Sequence, residues 1–374
     1  MAKPVVVHLV ETFLGRSEIF IYNYVASHVA WDPVVLCKFT ANEKEFPVNR
    51  CVVLPAPTTK RDPAWWLNEA VMKFTGRSLW HRRVEQLLYE LEPTIIHAHF
   101  GQMGYLILPV KRRLRIPLVT TFYGYDMSVL PRLPRWPARL AQLFFDGDLF
   151  LCEGPYMRQK LIELGAPVDK LRIQHIAIHV DRYPGWQPQR SGIPVVLFVG
   201  RFTEKKGLPA ALEAVRQLRR RGQSLRFRII GDGPQRDGAE RFVMENGMTD
   251  CVDFLGMKPH SEVIQELTRA NVFIHPSRTA SNGDTEGGAP TILLEAQAVG
   301  VPIVTTRHAD IPNVVPAGRG IFLSDETDTA QLAENLFQAL GCSEGCDPLF
   351  VRQHHNVAKE VLNLEECYGQ LARS

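Results

Sequence analysis

The chain has 374 residues, of which 45% are hydrophobic and 22% are charged, and its net charge is +3. The length predicts two domains, and the composition excludes a disordered, fibrous or membrane-spanning chain. The seven cysteines are scattered and the N-terminal residues lack the pattern of an export signal, so we expect a cytoplasmic protein.

The net charge conceals a difference between the two halves. Up to Arg190 there are 24 Lys and Arg against 17 Asp and Glu, a net of +7. The remaining residues carry 19 against 23, a net of −4. A basic front half and a mildly acidic back half suggest that the two halves face different partners.

Short β-branched runs alternate with longer amphipathic segments, which indicates α/β domains with doubly wound parallel sheets. In the front half we predict strands at 5–10, 34–37, 51–54, 95–99, 118–122, 149–152 and 172–176. In the back half we predict them at 195–199, 226–230, 252–255, 272–275, 302–305 and 320–323. The spacing of apolar residues from Val357 to Leu371 predicts one apolar face of a terminal helix.

A Pro- and Gly-rich segment, residues 182–193, has the composition of a linker. We therefore expect an N-terminal domain over 1–185 and a C-terminal domain over 192–354. Ligands of such sheets bind beyond the carboxyl ends of the strands, so the loops that follow strands are the first places to look for a site.

The first such loop runs from Gly200 to Gly207 and precedes a helix that begins near Pro209. Arg201 leaves the strand end, and Lys206 lies just before the helix N-terminus. The two cations could bracket a diphosphate, because Arg binds oxygens through its fork and Lys acts as a point charge. The alternative is that both are solvated loop charges.

The second loop contains Glu286, Gly287 and Gly288 before a helix that begins near Pro290. Glycines leave room for a ligand beside the backbone amides of a helix N-terminus, where negative charge is favoured. Glu295 lies further along this apolar helix, and its carboxylate could accept hydrogen bonds from paired ribose hydroxyls. Its alternative is a partly exposed helical glutamate.

His97 and His99 point to the same side of a front-half strand, so a metal must be considered. No third ligand accompanies them at a recognisable spacing, and we expect no metal. Tyr123 and Asp126 follow the next strand with a phenol and a carboxylate. Gly15 follows the first strand, where a phosphate contact is plausible.

Taken in order, these motifs resemble those of the retaining family 4 glycosyltransferases, which have the GT-B fold. The resemblance covers nearly the whole chain. In the back half it rests on Gly200 to Gly207, Gly231 to Pro234, Asp253 to Gly256, Ala270 to Ser277, and Glu286 to Pro302. In the front half it rests on Ser17 to Ile21, His97 to Gly101 and Thr121 to Asp126, which are similar to the colanic acid and exopolysaccharide branch.

The resemblance implies two Rossmann-like domains that face each other across a cleft. It also implies a C-terminal helix, within 355–374, that crosses back to the N-terminal domain. The implied reaction transfers a hexose from a UDP- or GDP-sugar to a lipid-linked or oligosaccharide acceptor, with retention of the anomeric configuration. No cofactor or metal is implied, and the setting is the biosynthesis of bacterial surface polysaccharide.

Residue by residue, the resemblance implies that Arg201 and Lys206 hold the donor diphosphate. Glu286 would lie near the donor sugar hydroxyls, and Glu295 would bind the ribose. The loops that would bind the donor contain Gly15, Gly200, Gly231, Gly287, Gly288, Ala289 and Pro290.

Two departures from the family pattern affect these assignments. Eight residues rather than seven separate Glu286 from Glu295, so that Asp284 or Thr285 could share the role of the first glutamate. The histidine that often follows Thr-Phe is replaced by Tyr123. Polarisation of the sugar or acceptor would then fall to one of four side chains, of which His99 is favoured because it lies nearer the strand end than His97: Tyr123, Asp126, His97 and His99.

Two other functions share this pattern of domains: a nucleotide-sugar 2-epimerase, and a catalytically silent protein that binds a nucleotide sugar. The front half contains tryptophans, clustered arginines or both in four segments, 64–67, 79–83, 111–115 and 131–139. This pattern suits an anionic membrane surface, so we expect peripheral binding to the cytoplasmic leaflet. The alternative is that the tryptophans pack inside the domain. No nucleic-acid partner is expected.

Overall fold

A computed structural model of the protein describes residues 2–15, 18–42, 46–54, 66, 78–188 and 192–373. The chain forms two compact units. Unit 1 comprises Met1–Glu153, Arg158–Ile176 and Val357–Ser374, and unit 2 comprises Gly154–Met157 and Ala177–Asn356. In the described residues, no helix is both long and apolar enough to cross a bilayer.

Unit 1 contains a parallel sheet whose strands follow the order β3-β2-β1-β4-β5-β6-β7. The strands are β1 (Val5–Phe13), β2 (Asp32–Thr40), β3 (Cys51–Val53), β4 (Ile95–His99), β5 (Leu118–Thr121), β6 (Leu149–Cys152) and β7 (Leu171–Ile173). The described helices are α1 (Ile19–Ser27), α2 (Leu79–Leu91), α3 (Gly101–Leu114), α4 (Gly124–Ser128), α5 (Trp136–Asp146) and α6 (Pro155–Glu163), which begins in the unit 2 segment.

Unit 2 contains a second parallel sheet, in the order β10-β9-β8-β11-β12-β13. Its strands are β8 (Val195–Val199), β9 (Arg226–Ile230), β10 (Val252–Gly256), β11 (Val272–His275), β12 (Ile303–Thr306) and β13 (Ile321–Ser324). Its helices are α7 (Leu208–Arg220), α8 (Arg236–Glu245), α9 (His260–Arg269), α10 (Thr291–Val299), α11 (Ile311–Val314), α12 (Thr329–Leu340) and α13 (Leu349–His354).

The central strands of both sheets are buried along their whole length. Every residue of β4, β5, β6, β11 and β12 is buried. Burial of this kind is typical of parallel sheets covered by helices on both faces, and here it includes polar residues such as His97, His99 and His275. The predicted parallel α/β class is therefore confirmed, with strand bounds that differ from the predicted ones by a few residues.

The terminal helix α14 (Val357–Arg373) belongs to unit 1. Its predicted apolar positions Val357, Val361, Leu364 and Tyr368 are buried. The predicted return of the C-terminal helix to the N-terminal domain is thus confirmed.

The chain enters unit 2 at Ala177, before the boundary predicted at 185. The reason is that the segment after Ala177 already packs with unit 2. Ile178 is buried, donates its backbone N–H to the carbonyl of His355 and forms a bridge with Asn356. The Pro- and Gly-rich segment that we predicted to be a linker therefore lies within unit 2, where Trp186 donates its indole N–H to the carbonyl of Ala270.

Candidate functional site

Two tight turns bring the predicted donor loops of unit 2 together. At Gly231, φ is +135° and an added Cβ would lie 1.9 Å from the carbonyl oxygen of Gly200. At Gly207, φ is +73° and an added Cβ would lie 1.8 Å from the carbonyl oxygen of Pro276. Neither position can hold a side chain, so these glycines let the loops after β8, β9 and β11 approach closely.

Lys206 and Glu286 form an ion pair at the centre of these loops. The Lys206 Nζ donates to Glu286 Oε2 at 2.8 Å, and the side chains are 15% and 6% exposed. Lys206 ends a short 3₁₀ turn, Glu204–Lys206, that leads into α7, and Glu286 lies just before α10. The structure therefore brings together two residues that the sequence placed in separate motifs.

Three further groups hold the Glu286 segment in place. Ser277 donates its hydroxyl to Glu286 Oε1 at 3.1 Å, and the backbone N–H of Glu286 donates to His308 Nε2 at 3.1 Å. His308 in turn binds Glu326 through Nδ1 at 2.7 Å. Sequence reasoning missed Ser277, His308 and Glu326 as supports, because their approach depends on how loops after different strands fold.

The Glu286 carboxylate is held ionised. Burial alone would raise the pKa of Glu286, but the charges of Lys206, Lys205 and His275, together with the Lys206 hydrogen bond, lower it to about 2. Burial also lowers the pKa of Lys206, and the positive charges of Lys205 and Arg201 act in the same direction, whereas Glu286 opposes them. The pair is a fixed negative charge beside a partly desolvated cation.

Lys205 makes a second contact with the same loop. Lys205 Nζ donates to Asp284 Oδ1 and to the carbonyl oxygen of Thr285, both at 3.1 Å. Two consecutive lysines thus hold two acidic groups, Lys205 binding Asp284 and Lys206 binding Glu286. Glu286 is therefore the partner of Lys206, the lysine that lies just before α7, and Asp284 is the partner of Lys205.

The segment Gly287 to Pro290 is buried and leads into α10, whose first turn has no side-chain cap. The orphan N–H groups of such a helix end favour an anion. Arg201 lies in the loop after β8 and its side chain is exposed, while Gly200 donates its N–H to the carbonyl of Ile230. The binding of donor phosphates by these residues and by Gly288 and Ala289 remains a prediction.

Glu295 lies on α10 and is 8% exposed. Its Oε1 atom is 3.0 Å from His260 Nε2. Burial, followed by the nearby Glu295 carboxylate, raises the pKa of the Tyr183 hydroxyl. Glu295 is therefore a buried carboxylate with polar partners and not a solvated helical glutamate.

In unit 1, the predicted polar groups lie at the ends of β4 and β5. His99 Nδ1 is 2.9 Å from the Tyr123 hydroxyl. Asp126 Oδ2 accepts the backbone N–H groups of Gly101 and Tyr123, each at 3.1 Å. Burial raises the pKa of Asp126 to about 7, although these two backbone hydrogen bonds lower it. Asp126 thus caps the starts of α3 and α4.

Gly15 follows β1, and its carbonyl oxygen accepts the backbone N–H of Glu18. The neighbouring Ser17, which begins the front-half motif, lies outside the described residues. A phosphate contact at Gly15 stays a prediction.

The two histidines of β4 are part of a larger cluster. His8, His97 and His99 each offer a nitrogen within 4.8 Å of the others, and His28 lies beside His8 with ring centroids 5.2 Å apart. The sequence offered no third ligand at a recognisable spacing, and the structure brings His8 to the pair through strand pairing. His8 lies opposite His97 in the register of β1 and β4. The residue spacing within either strand does not predict this pairing.

Both halves of the chain match models of known families. Residues 193–341 match the family described as "Glycosyl transferases group 1", and residues 31–182 match "Glycosyltransferase Family 4". The chain is 34% identical over 277 residues to WcaL of Escherichia coli K12, a match that covers 72% of this chain and 68% of that protein. This chain belongs to the family 4 glycosyltransferases. WcaL of Salmonella typhimurium is 36% identical over 242 residues, and that match spans 64% of this chain and 59% of the Salmonella protein.

A further relative supports this placement, and solved structures share the fold. The amylovoran biosynthesis glycosyltransferase AmsK of Erwinia amylovora is 32% identical over 74% of this chain and 69% of its own length. Anabaena HepE in complex with UDP has a TM-score of 0.78 at 14% identity, covering 98% of this chain and 100% of HepE. Sucrose-phosphate synthase from Thermosynechococcus elongatus has a TM-score of 0.77 at 16% identity, with complete coverage of both chains. The two structures share the fold, and the predicted GT-B class is confirmed.

Proposed function

We propose that this family 4 chain transfers a hexose from a UDP- or GDP-sugar to a lipid-linked or oligosaccharide acceptor, with retention and without a metal. The names of WcaL and AmsK refer to colanic acid and amylovoran biosynthesis, which supports a role in the assembly of an exopolysaccharide. We place this role at the cytoplasmic face of the membrane. HepE was crystallised with UDP, which supports a uridine nucleotide as one candidate donor.

The buried pair of Lys206 and Glu286 is the observation that carries this proposal. An ammonium has three N–H donors, and one of those of Lys206 goes to Glu286. A second cation, Arg201, lies in the same loop, and the uncapped start of α10 follows Glu286. Cations and helix-terminal amides are the groups that stabilise a diphosphate leaving group.

The proposed reaction needs only positioning and charge stabilisation. The bond between the anomeric carbon and the diphosphate oxygen breaks, and its electron pair leaves with the nucleoside diphosphate. The acceptor oxygen forms the new bond on the same face, and its proton passes to the departing diphosphate oxygen. Arg201 and Lys206 would offset the charge that develops on the diphosphate, while the ionised Glu286 would accept hydrogen bonds from sugar hydroxyls.

We propose that only one of the four predicted membrane-binding segments of unit 1 has this role. Trp80 is 4% exposed and donates its indole N–H to the carbonyl of Leu54, so this tryptophan packs inside the unit. In the basic segment of α3, Lys111, Arg112 and Arg113 form ion pairs. Residues 64, 65 and 67 lie outside the described residues.

Segment 131–139 keeps the features of a membrane-facing surface. The Arg139 guanidinium lies 5.0 Å from the ring centroid of Trp136 and 5.3 Å from that of Tyr105. Leu133 is 38% exposed, and Arg132 and Arg135 are exposed beside it. We propose that this segment binds anionic headgroups, because Trp and Arg together suit the membrane interface.

Donor and reaction are tested on the full chain. Thermal unfolding with UDP, GDP and ADP and their sugars identifies the donor, since a ligand that binds the folded state raises the Tm. Product formed on a polyprenyl-diphosphate-linked sugar is then examined by NMR with and without EDTA. Retention with EDTA-resistant turnover is expected, and an inverted anomer or complete loss with EDTA contradicts the proposal.

The same assay separates two other functions. Donor binding without transfer to any acceptor and without slow donor hydrolysis would support a silent binding protein, which the extra loop residue and Tyr123 keep open. Conversion of the free nucleotide sugar into its 2-epimer would support an epimerase.

Membrane binding is tested by sedimentation with vesicles containing anionic lipid at low salt. The variant Arg132→Glu with Arg135→Glu should lose binding. Arg219→Glu with Arg221→Glu, on helix α7 and its C-cap in unit 2, changes the net charge equally and should retain it. Equal binding of both variants would contradict a role for segment 131–139.

A further inference from the structure

Five buried side chains of unit 1 form one continuous hydrogen-bonded chain. Glu365 Oε1 is 3.0 Å from His28 Nδ1, and His28 Nε2 is 3.0 Å from His8 Nε2. His8 Nδ1 is 3.0 Å from His99 Nε2, and His99 Nδ1 is 2.9 Å from the Tyr123 hydroxyl. This hydrogen-bonded chain runs from Glu365, on the terminal helix α14, to Tyr123.

The chain is shielded from water along its length. His8 is fully buried, His99 is 2% exposed and Glu365 is 7% exposed. The side chain of His28 is also fully buried, and Tyr123 is 8% exposed. Buried polar groups without water must satisfy one another, so the direction of each hydrogen bond carries information.

The acceptor at one end fixes that direction. Both oxygens of Glu365 act as acceptors, because Oε1 accepts the backbone N–H groups of Val29 and Ala30 and Oε2 also accepts that of Ala30. His28 must therefore donate from Nδ1 to Glu365 and accept at Nε2.

Each neutral imidazole has one donor and one acceptor, so the assignment propagates. His8 donates from Nε2 and accepts at Nδ1, and His99 donates from Nε2 and accepts at Nδ1. The Tyr123 hydroxyl must donate to His99. Burial, as the largest cause, lowers the pKa of His8, His28 and His99, which agrees with neutral rings.

We propose that Glu365, His28 and His8 are positioning residues that act through His99. They orient the hydrogen bonds so that the Tyr123 hydroxyl donates its proton to His99 Nδ1. The phenol oxygen of Tyr123 then presents only lone pairs, so it selects a substrate group that donates a hydrogen bond, such as a sugar hydroxyl. The substrate part of this inference rests on the proposed function, whereas the hydrogen-bond direction does not.

A metal at these histidines is the rival explanation. His97 binds the Tyr368 hydroxyl through Nδ1 at 2.5 Å and Thr121 Oγ1 through Nε2 at 2.7 Å. All eight ring nitrogens of the four histidines therefore have protein partners in the structure. A metal held by His8, His97 and His99 would have to displace some of these contacts.

The first experiment needs no substrate. Imidazole ¹⁵N NMR of the full chain distinguishes the two neutral tautomers. We expect His28 protonated at Nδ1, and His8 and His99 protonated at Nε2. The opposite tautomers, or zinc added alone binding tightly with shifts of His8 and His99, would overturn the proposal. This outcome is independent of whether the chain transfers a sugar.

The second experiment uses a double-mutant cycle in kcat/KM. Tyr123→Phe removes the acceptor oxygen and should lower kcat/KM about tenfold or more. Glu365→Leu removes the terminal acceptor and should cost a similar factor, whereas Glu365→Gln keeps a carbonyl oxygen and should restore most activity. If Glu365 acts through Tyr123, the Leu variant has little further effect in the Tyr123→Phe background.

The control for the cycle is Thr121→Val, which breaks a buried hydrogen bond to His97 outside the chain. Its effect, whatever its size, should be additive with Tyr123→Phe. Additive losses for Glu365→Leu as well, or a Gln variant as weak as the Leu variant, would show a merely structural role. Unfolding curves of each variant identify any loss of folding.

Discussion

Glu286 accepts a hydrogen bond from Lys206 on one carboxylate oxygen and from Ser277 on the other. The carboxylate is thus fixed in orientation, and the cation is held just before the start of α7. Desolvation of a buried ion pair costs free energy that offsets most of its attraction, so the pair contributes little net stability. Removal of one partner leaves the other charge buried and unpaired. The proposed role in binding a diphosphate would account for an arrangement that stability alone does not require.

The first prediction concerns Lys206→Ala. Loss of one electrostatic stabiliser should lower kcat by roughly 10²-fold or more. The side chain of Glu286 is only 6% exposed, so the variant leaves a buried carboxylate without its cation. We expect this to lower the free energy of unfolding by an amount on the order of 3 kcal/mol. Steady-state kinetics and denaturant unfolding measure the two effects.

A matched variant separates the two effects. Lys206→Met combined with Glu286→Gln removes both charges and should recover most of the stability while kcat stays low. If the double variant recovers turnover as well as stability, the cation has no part in the reaction.

The second prediction concerns acid unfolding. The pKa of Glu286 lies near 2 in the folded protein against an ordinary value of 4.5. The folded state therefore holds the ionised form more strongly than the unfolded state, and this stabilisation is complete above about pH 4.5. It should be lost as the pH falls from 4.5 to 2, and urea unfolding at each pH measures the loss.

Glu286→Gln is the control for this pH dependence. Glutamine does not titrate, so the variant should show a shallower decline in stability between pH 4.5 and 2. Burial lowers the pKa of Lys206 and so opposes the pair energetically. Parallel curves for the two proteins would assign the limb to other groups.

The sequence predicted what local patterns encode. β-branched runs located the strands, and the order of short motifs located Lys206 and Glu286 in loops that follow strands. Parallel strands place such loops at one edge of the sheet, which is why the two residues meet. What it could not predict depends on long-range register: His8 joins His97 only through the pairing of β1 with β4. Glu365 reaches His28 from the far end of the chain.

The loop with the extra residue shows a second limit. Spacing alone left Asp284, Thr285 and Glu286 as candidates for one position. In the structure, Lys205 forms an ion pair with Asp284, whereas Lys206 forms one with Glu286. The loop turns at Gly283, where φ is +81°, and the backbone N–H of Ala280 donates to the carbonyl of Asp284.

The third prediction concerns Gly207→Ala. A Cβ here would lie 1.8 Å from the Pro276 carbonyl oxygen while the backbone has φ of +73°, so the loops after β8 and β11 must separate. We expect a loss of several kcal/mol, beyond the ~1–2 kcal/mol that left-handed backbone costs an alanine. Chemical denaturation measures it.

Gly222→Ala is its matched control. Gly222 has φ of +82°, but an added Cβ meets nothing within 4 Å. Its cost should be the backbone strain alone. Equal destabilisation by the two substitutions would contradict the close approach of the loops.

The last prediction concerns Glu295→Gln and the nucleotide. Glu295 is buried and already accepts from a nearby ring nitrogen of His260, so its carboxylate is oriented before any ligand binds. If it accepts from ribose hydroxyls, the variant should bind the nucleoside diphosphate about tenfold or more weakly, since hydrogen bonds to a charged group are worth ~1.5–3 kcal/mol. Titration calorimetry with the 2′-deoxy and 3′-deoxy nucleotides provides the control: the loss should shrink for whichever analogue lacks the bound hydroxyl. An equal loss with every analogue would mean that Glu295 supports the fold of α10 and leaves the ribose untouched.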